Sequence, residues 1–131
     1  MRRLAAVLAA VMLAAAAGCG SSGPSDQELV RSKVSELGRL TAAKDYNGLC
    51  DHVLAPVLID KLKQIGLPCE VALQQGLGTV TDPQLTIGKI TVKDRNATAQ
   101  VRTSAKGQQP SSDTLELVKL DKDWRVSSLG R

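Results

Sequence analysis

The chain changes its hydrophobic period once, around Gly76 and Gly78, and that change limits the folds open to it. Upstream, apolar residues recur every three or four positions, the spacing of a buried helix face. Downstream, they alternate with polar residues, the spacing of a half-buried strand. Helices that all precede the strands do not suit a parallel βαβ order; they suit an α+β domain in which helices cover one face of an antiparallel meander. Ser25-Asp26-Gln27-Glu28 is a capping box. It predicts a long amphipathic helix over 26–44, with Val30, Val34, Leu37 and Thr41 on one face. Asp45-Tyr46-Asn47-Gly48 ends it, and Leu49, Cys50, Val53 and Leu54 mark a short second helix. Pro56 suits the first turn of a third helix, whose face is Leu58, Leu62 and Ile65. Gly66 and Pro68 stop that helix. Residues 69–75 read as a fourth, with Cys69, Ala72 and Leu73 turned inward.

In the strand half, Leu85 and Ile87 are out of phase with Ile90 and Val92. A bulge at Gly88-Lys89 would restore one inward face. Asp94-Arg95-Asn96 is a turn. Ala97, Ala99, Val101 and Thr103 then alternate with Thr98, Gln100 and Arg102. Residues 106–112 read as a polar loop. Leu115, Leu117, Val118 and Leu120 predict a third strand with a second phase shift, and Asp121-Lys122-Asp123 turns into a last strand with Trp124 and Val126 inward.

The first residues carry a different pattern. Arg2 and Arg3 precede an uninterrupted apolar run from Leu4 to Ala17. Charge order and length match a secretory signal. The run is shorter than the roughly 20 residues of an ordinary transmembrane helix. A buried domain helix would show a polar face, which this run lacks. A short membrane anchor, or cleavage by the ordinary signal enzyme, would also fit charge order and length. Ala16-Ala17-Gly18-Cys19 resembles the lipobox of bacterial lipoproteins, with Ala16 where Leu is usual. That resemblance implies cleavage before Cys19 and acylation (diacylglyceryl and palmitate-type chains) of the new N-terminus. The product would be a lipid-anchored protein on the extracytoplasmic side of the cell membrane. Several acyl chains would anchor stably where one is marginal. Residues 1–18 are then a signal peptide, 19–25 a lipidated flexible tether, and 26–131 the domain. The tether spans at most about 20 Å.

Without Arg2 and Arg3, the 17 basic residues fall to 15 against 13 acidic ones, and the formal charge falls from +4 to +2. So weak a balance indicates no nucleic-acid partner. With Cys19 lipidated, Cys50 and Cys69 have a single pairing available in a disulfide-permissive compartment. Two separate buried thiols are the alternative. The pair has no CxxC spacing and the chain one histidine, so neither a redox site nor a Cys/His metal site is indicated. No cofactor motif is present.

Three stretches carry a wider resemblance: Leu40 to Cys50, Leu67 to Leu73, and Leu117 to Val126. Through them the chain resembles the small NTF2-like, cystatin-type lipoproteins of actinobacteria over about residues 26–129. The resemblance implies a first helix lying across a strongly curved, cone-shaped sheet, and a helix-to-helix disulfide between Cys50 and Cys69. Such folds host enzymes, small-ligand binders and interaction domains, so fold alone does not choose among them. The inward strand residues carry no proton-transfer group. His52 reads as a solvated or capping residue, and Asp82 as a turn residue. The expectation is a noncatalytic domain that binds a small apolar ligand or an envelope protein. A pocket would be lined by Tyr46, Leu85, Ile87, Ala97, Ala99, Val101, Leu115, Leu117 and Trp124. Tyr46 and Trp124 also fit plain packing roles. The competing expectation is an NTF2-like isomerase or dehydratase with an unrecognised cavity site.

Overall fold

A computed structural model of the chain describes residues 23–130. The first helix, α1 (Asp26–Ala43), opens on the capping box: the Glu28 amide donates to Ser25 Oγ at 3.2 Å, and the Ser25 amide donates to Glu28 Oε2 at 2.7 Å. It ends at Lys44, whose φ of 55° lets its amide reach the Leu40 and Thr41 carbonyls. The short helix α2 (Tyr46–Gly48) is capped by Asp45, which accepts from the Gly48 amide at 2.9 Å.

The chain then widens into a single π-helical turn, α3 (Leu49–Val53), closed by the Leu54 amide donating to the Leu49 carbonyl at 2.9 Å. Leu49, Cys50, Val53 and Leu54 are all buried in and beside this turn. Sequence spacing alone predicts an ordinary helix here. The wider turn brings positions four and five apart onto one face. Helices α4 (Pro56–Gln64) and α5 (Cys69–Leu77) follow.

Four strands complete the domain: β1 (Gln84–Lys93), β2 (Asn96–Ser104), β3 (Ser111–Leu120) and β4 (Asp123–Ser128). They form an antiparallel meander in the order β1-β2-β3-β4. Two-residue turns join β1 to β2 and β3 to β4. Each has an aspartate at positive φ, Asp94 and Asp121, a conformation that Asp tolerates through its short polar side chain. The register of β1 shifts between Ile87 and Ile90, so Gly88 and Lys89 together face Gln100. This is the bulge the sequence phase demands. It keeps Leu85, Ile87, Ile90 and Val92 on one face.

Two expectations need correction. The sheet does not form a cone. The strand order leaves β1 and β4 as separate edges, so the sheet stays open and is not strongly curled. Four strands with one bulge in β1 and one irregularity between β3 and β4 do not bend far enough to close. In addition, β3 has no phase shift of its own. It pairs with β2 without interruption from Asn96↔Val118 to Thr103↔Ser111. The shift lies in its pairing with β4, where Glu116 faces Ser128 and Leu117 faces Val126, so Ser127 is the extra residue. Val118 and Leu120 therefore share the outer face with exposed Thr114 and Glu116.

The core lies between the helices and the inner sheet face. Val30, Val34, Val53, Ala55, Ala99 and Val126 are fully buried, and Leu49, Leu54, Leu117 and Trp124 nearly so. Burying a Val or Leu side chain contributes about 1.5–3 kcal/mol, so this layer is the main source of stability. The outer face carries exposed Thr86, Thr91, Thr98, Gln100, Arg102 and Thr114.

Helix α1 runs from one end of the sheet to the other. At its start, Asp26 Oδ1 accepts from Lys119 Nζ at 2.7 Å and from Trp124 Nε1 at 3.1 Å, which ties the helix to the β3–β4 turn. Those two bonds, aided by the Lys119 charge, outweigh desolvation and hold the Asp26 carboxyl below its usual pKa. At its far end Gly38 packs on Leu85: a Cβ at Gly38 would stand 3.3 Å from that of Leu85, so the missing side chain lets helix and strand approach closely.

Candidate functional site

At the end of the sheet away from the Asp26 contacts lies a cavity of about 320 Å³. The volume falls at the lower end of the roughly 300–1,000 Å³ usual for small-molecule sites. Its walls come from both the helices and the sheet. Helix α1 supplies Leu37, Gly38 and Thr41, and α3 and the residue after it supply Leu49 and Leu54. Helix α5 supplies Leu73 and Leu77, four residues apart and therefore on one face. The sheet supplies Leu85, Val101 and Leu115 from its inner face. Thr41 donates its hydroxyl to the Leu37 carbonyl at 2.7 Å, so that group is spent within the helix.

The mouth is polar. Thr103, Gln108, Gln109, Ser111 and Asp113 line it. Asp113 sits opposite Val101 in the β2–β3 ladder, and Ser111 sits opposite Thr103. All four share the inner face. Thr103 Oγ1 and Ser111 Oγ are 3.1 Å apart, and Ser111 donates to Asp113 Oδ2 at 3.0 Å. Asp113 is the single charged side chain among the described lining residues. A wider, shallower depression on the outer sheet face is bordered by Thr86, Gln100, Arg102 and Glu116. Val101 is the one aliphatic side chain among its described lining residues.

Cys50 and Cys69 form a disulfide with a Cα–Cα distance of 6.1 Å. It joins the π-helical turn to the first residue of α5. Cys69 is the buried residue of that helix, while half-buried Leu73 packs against the edge of the core and, with Leu77, borders the cavity. The crosslink thus holds a cavity wall that has little packing of its own.

A cluster of charges fixes the other side of the π-helical turn. Lys33 Nζ donates to the His52 carbonyl at 2.8 Å and pairs with Glu36 at 3.2 Å and Asp123 at 3.3 Å. Arg125 Nη1 donates to the Asp51 carbonyl at 2.8 Å, and its Nε to Asp123 Oδ2 at 2.6 Å. Two cations therefore receive the carbonyls at the end of the turn, where the helix dipole is negative. Burial alone would raise the Asp123 carboxyl; the Arg125 hydrogen bond and the Lys33 charge outweigh it and hold the pKa below its usual value.

The residues expected to line a pocket separate into two groups. Leu85, Val101 and Leu115 line the cavity. Ala97, Ala99, Leu117 and Trp124 lie in the buried core outside its lining, and Ile87 and Tyr46 pack against that core. The Tyr46 hydroxyl is buried with no hydrogen-bond partner among the described residues. His52 and Asp82 are exposed. Cys19 lies outside the described residues. Asp113 was missed because the polar stretch before Leu115 reads as loop. Counting back in twos from Leu117 and Leu115 puts Asp113 and Ser111 on the inward face, and that parity was the available signal. Among the described residues, no three His, Cys, Asp or Glu side chains gather to hold a metal ion.

No protein-family model matches the chain, and no curated protein matches it significantly. Among solved structures, it is similar to the de novo designed NTF2 fold protein NT-9, with a TM-score of 0.54 and 16% sequence identity over 81% of this chain and 87% of that one. At that identity the likeness speaks to architecture alone, and it identifies the arrangement of helices on an open antiparallel sheet as NTF2-like.

Proposed function

We propose that the chain is a lipid-anchored extracytoplasmic protein whose NTF2-like domain binds a small apolar ligand without catalysis. The cavity carries this reading: its floor is aliphatic, it joins residues from helices and sheet, and a disulfide secures one wall. Apolar pockets with a few polar groups are the usual form of a small-ligand site. The polar outer sheet face makes an envelope-protein partner there the weaker choice. Asp113 is the single titratable side chain of the described lining, and no partner acid, base or cation stands beside it there to tune it for proton transfer.

The anchor rests on Arg2, Arg3, the apolar run to Ala17 and Cys19. Among the described residues, no helix is long and apolar enough to cross a membrane. In this reading attachment falls to the lipid on Cys19.

Two measurements test the reading. Intact mass of the chain from a bacterial membrane fraction should show residues 1–18 missing and acyl mass on Cys19; a free Cys19 thiol would overturn the anchor. Titration with n-octanol should shift the methyl resonances of Leu37, Leu85 and Leu115. Shifts absent from these leucines would overturn the binding site.

A further inference from the structure

We propose that the cavity selects an amphiphile with a cationic, hydrogen-bond-donating head, such as a primary alkylammonium, over an acid of the same chain length. The inference rests on the cavity being a ligand site and adds the class of ligand. Along the inner face of β3 the side chains read Ser111, Asp113, Leu115 and Leu117, so polarity rises stepwise from the core to the mouth. An occupant that matched this gradient would place its chain between Leu37, Leu85 and Leu115 and its head at Asp113.

Charge sets the sign of the preference. Asp113 is the charged lining residue, and among the described residues no cation forms a salt bridge with it. The hydroxyl of Ser111 donates to Oδ2, while Oδ1 has no hydrogen bond from a described side chain. With Ser111 donating to Asp113, the Thr103–Ser111 pair is set with Thr103 as donor. Thr103 thus donates to Ser111 and Ser111 to the carboxylate, a relay that leaves Oδ1 free to accept from an incoming donor. A carboxylate head would meet like charge at the same place. A methylene takes up about the ~30 Å³ of a water in the liquid, so the cavity accommodates a chain of about ten carbons.

The test compares decylammonium, 1-decanol and decanoate below their aggregation limits, by calorimetry on the full domain. Decylammonium should bind at least about fivefold more tightly than decanol, the effect of one solvent-accessible charge pair, and decanoate most weakly. Octylammonium should bind about 15-fold more weakly than decylammonium, because each buried methylene contributes about fourfold. Asp113→Asn should bring the three heads together while leaving the chain-length effect intact. Gly130 lies beside Asp113, where an added Cβ would stand 3.0 Å from that of Asp113, so Arg131→Ala, which removes the cation next in sequence, is the control and should leave the order unchanged. Equal binding of all three heads by the unsubstituted protein, or an unaltered order in Asp113→Asn, would overturn the head-group preference and leave the apolar site standing. Binding of none of them would overturn both.

Discussion

Removing the Cys50–Cys69 crosslink should loosen the cavity wall before it unfolds the domain. The bond spans a sequence separation of 19. On the chain-entropy relation a loop of that size restrains the unfolded chain by about 3 kcal/mol. For a domain of this size that corresponds to a fall in Tm of roughly 10–20 °C. Typical domain stabilities of about 5–15 kcal/mol leave the double variant Cys50→Ser, Cys69→Ser folded at room temperature. The protection that remains should not be uniform. Of the residues in α5, Cys69 alone is buried, whereas α1 and the sheet carry many buried side chains. The natural place for local opening is therefore α5. Hydrogen exchange should show amides from Leu73 to Leu77 losing about 100-fold of protection, the equivalent of roughly 3 kcal/mol. Amides of Ala99 and Leu117 should lose no more than the global stability change. Octanol affinity should fall as the Leu73–Leu77 wall becomes mobile. Unchanged α5 protection in the double variant would refute the reasoning, since it would mean that packing rather than the bond holds the wall.

Two further outcomes follow from the charge contacts. Lys33→Met keeps the apolar stem but removes the ammonium from the His52 carbonyl, Glu36 and Asp123; urea melts should show a loss of about 1–2 kcal/mol, and no loss would mean the end of the π-helical turn needs no cation. Asp26 and Asp123 both have depressed pKa values in the folded chain, so their contribution is present above the ordinary carboxylate pKa and is lost as pH falls through the folded values. Thermal melts should accordingly be flat near neutrality and decline below about pH 4, and a Tm that rises on acidification would contradict these contacts.

Local signals were legible in the sequence wherever one short segment determined the outcome. Ser25 and Glu28 form both bonds of the capping box, and the phase of Ile87 against Ile90 marks the bulge because a strand has only two faces. The disulfide was legible as one of two arrangements open to Cys50 and Cys69. Signals that depend on distant partners were not. Whether a sheet closes depends on strand number and accumulated bend, so the cone implied by resemblance gave way to an open meander. The π-helical turn is set by where Cys50 and Leu54 must meet the sheet and α5, for which helical spacing holds no sign. Val118 and Leu120 suggested a shift in β3, yet the shift belongs to β4 at Ser127, because side-chain parity within one strand cannot say which partner carries the extra residue. At the site, the aliphatic floor was legible in part through Leu85, Val101 and Leu115. The helical side of the cavity was not, since Leu37 and Leu73 meet only through the tertiary fold.

The direction of α1 has a consequence for how a ligand would arrive. Its 18 residues extend for about 27 Å, from the Asp26 contacts at the β3–β4 turn to Ala43, just past Thr41 at the cavity. If Cys19 carries the proposed lipid, a leash before Ser25 would pull on the end opposite the mouth. Held that way near a bilayer, the domain would present its opening to the aqueous side, at a standoff of roughly the length of the helix. In that pose a guest would cross water to reach the mouth, which favours short chains that carry a soluble head.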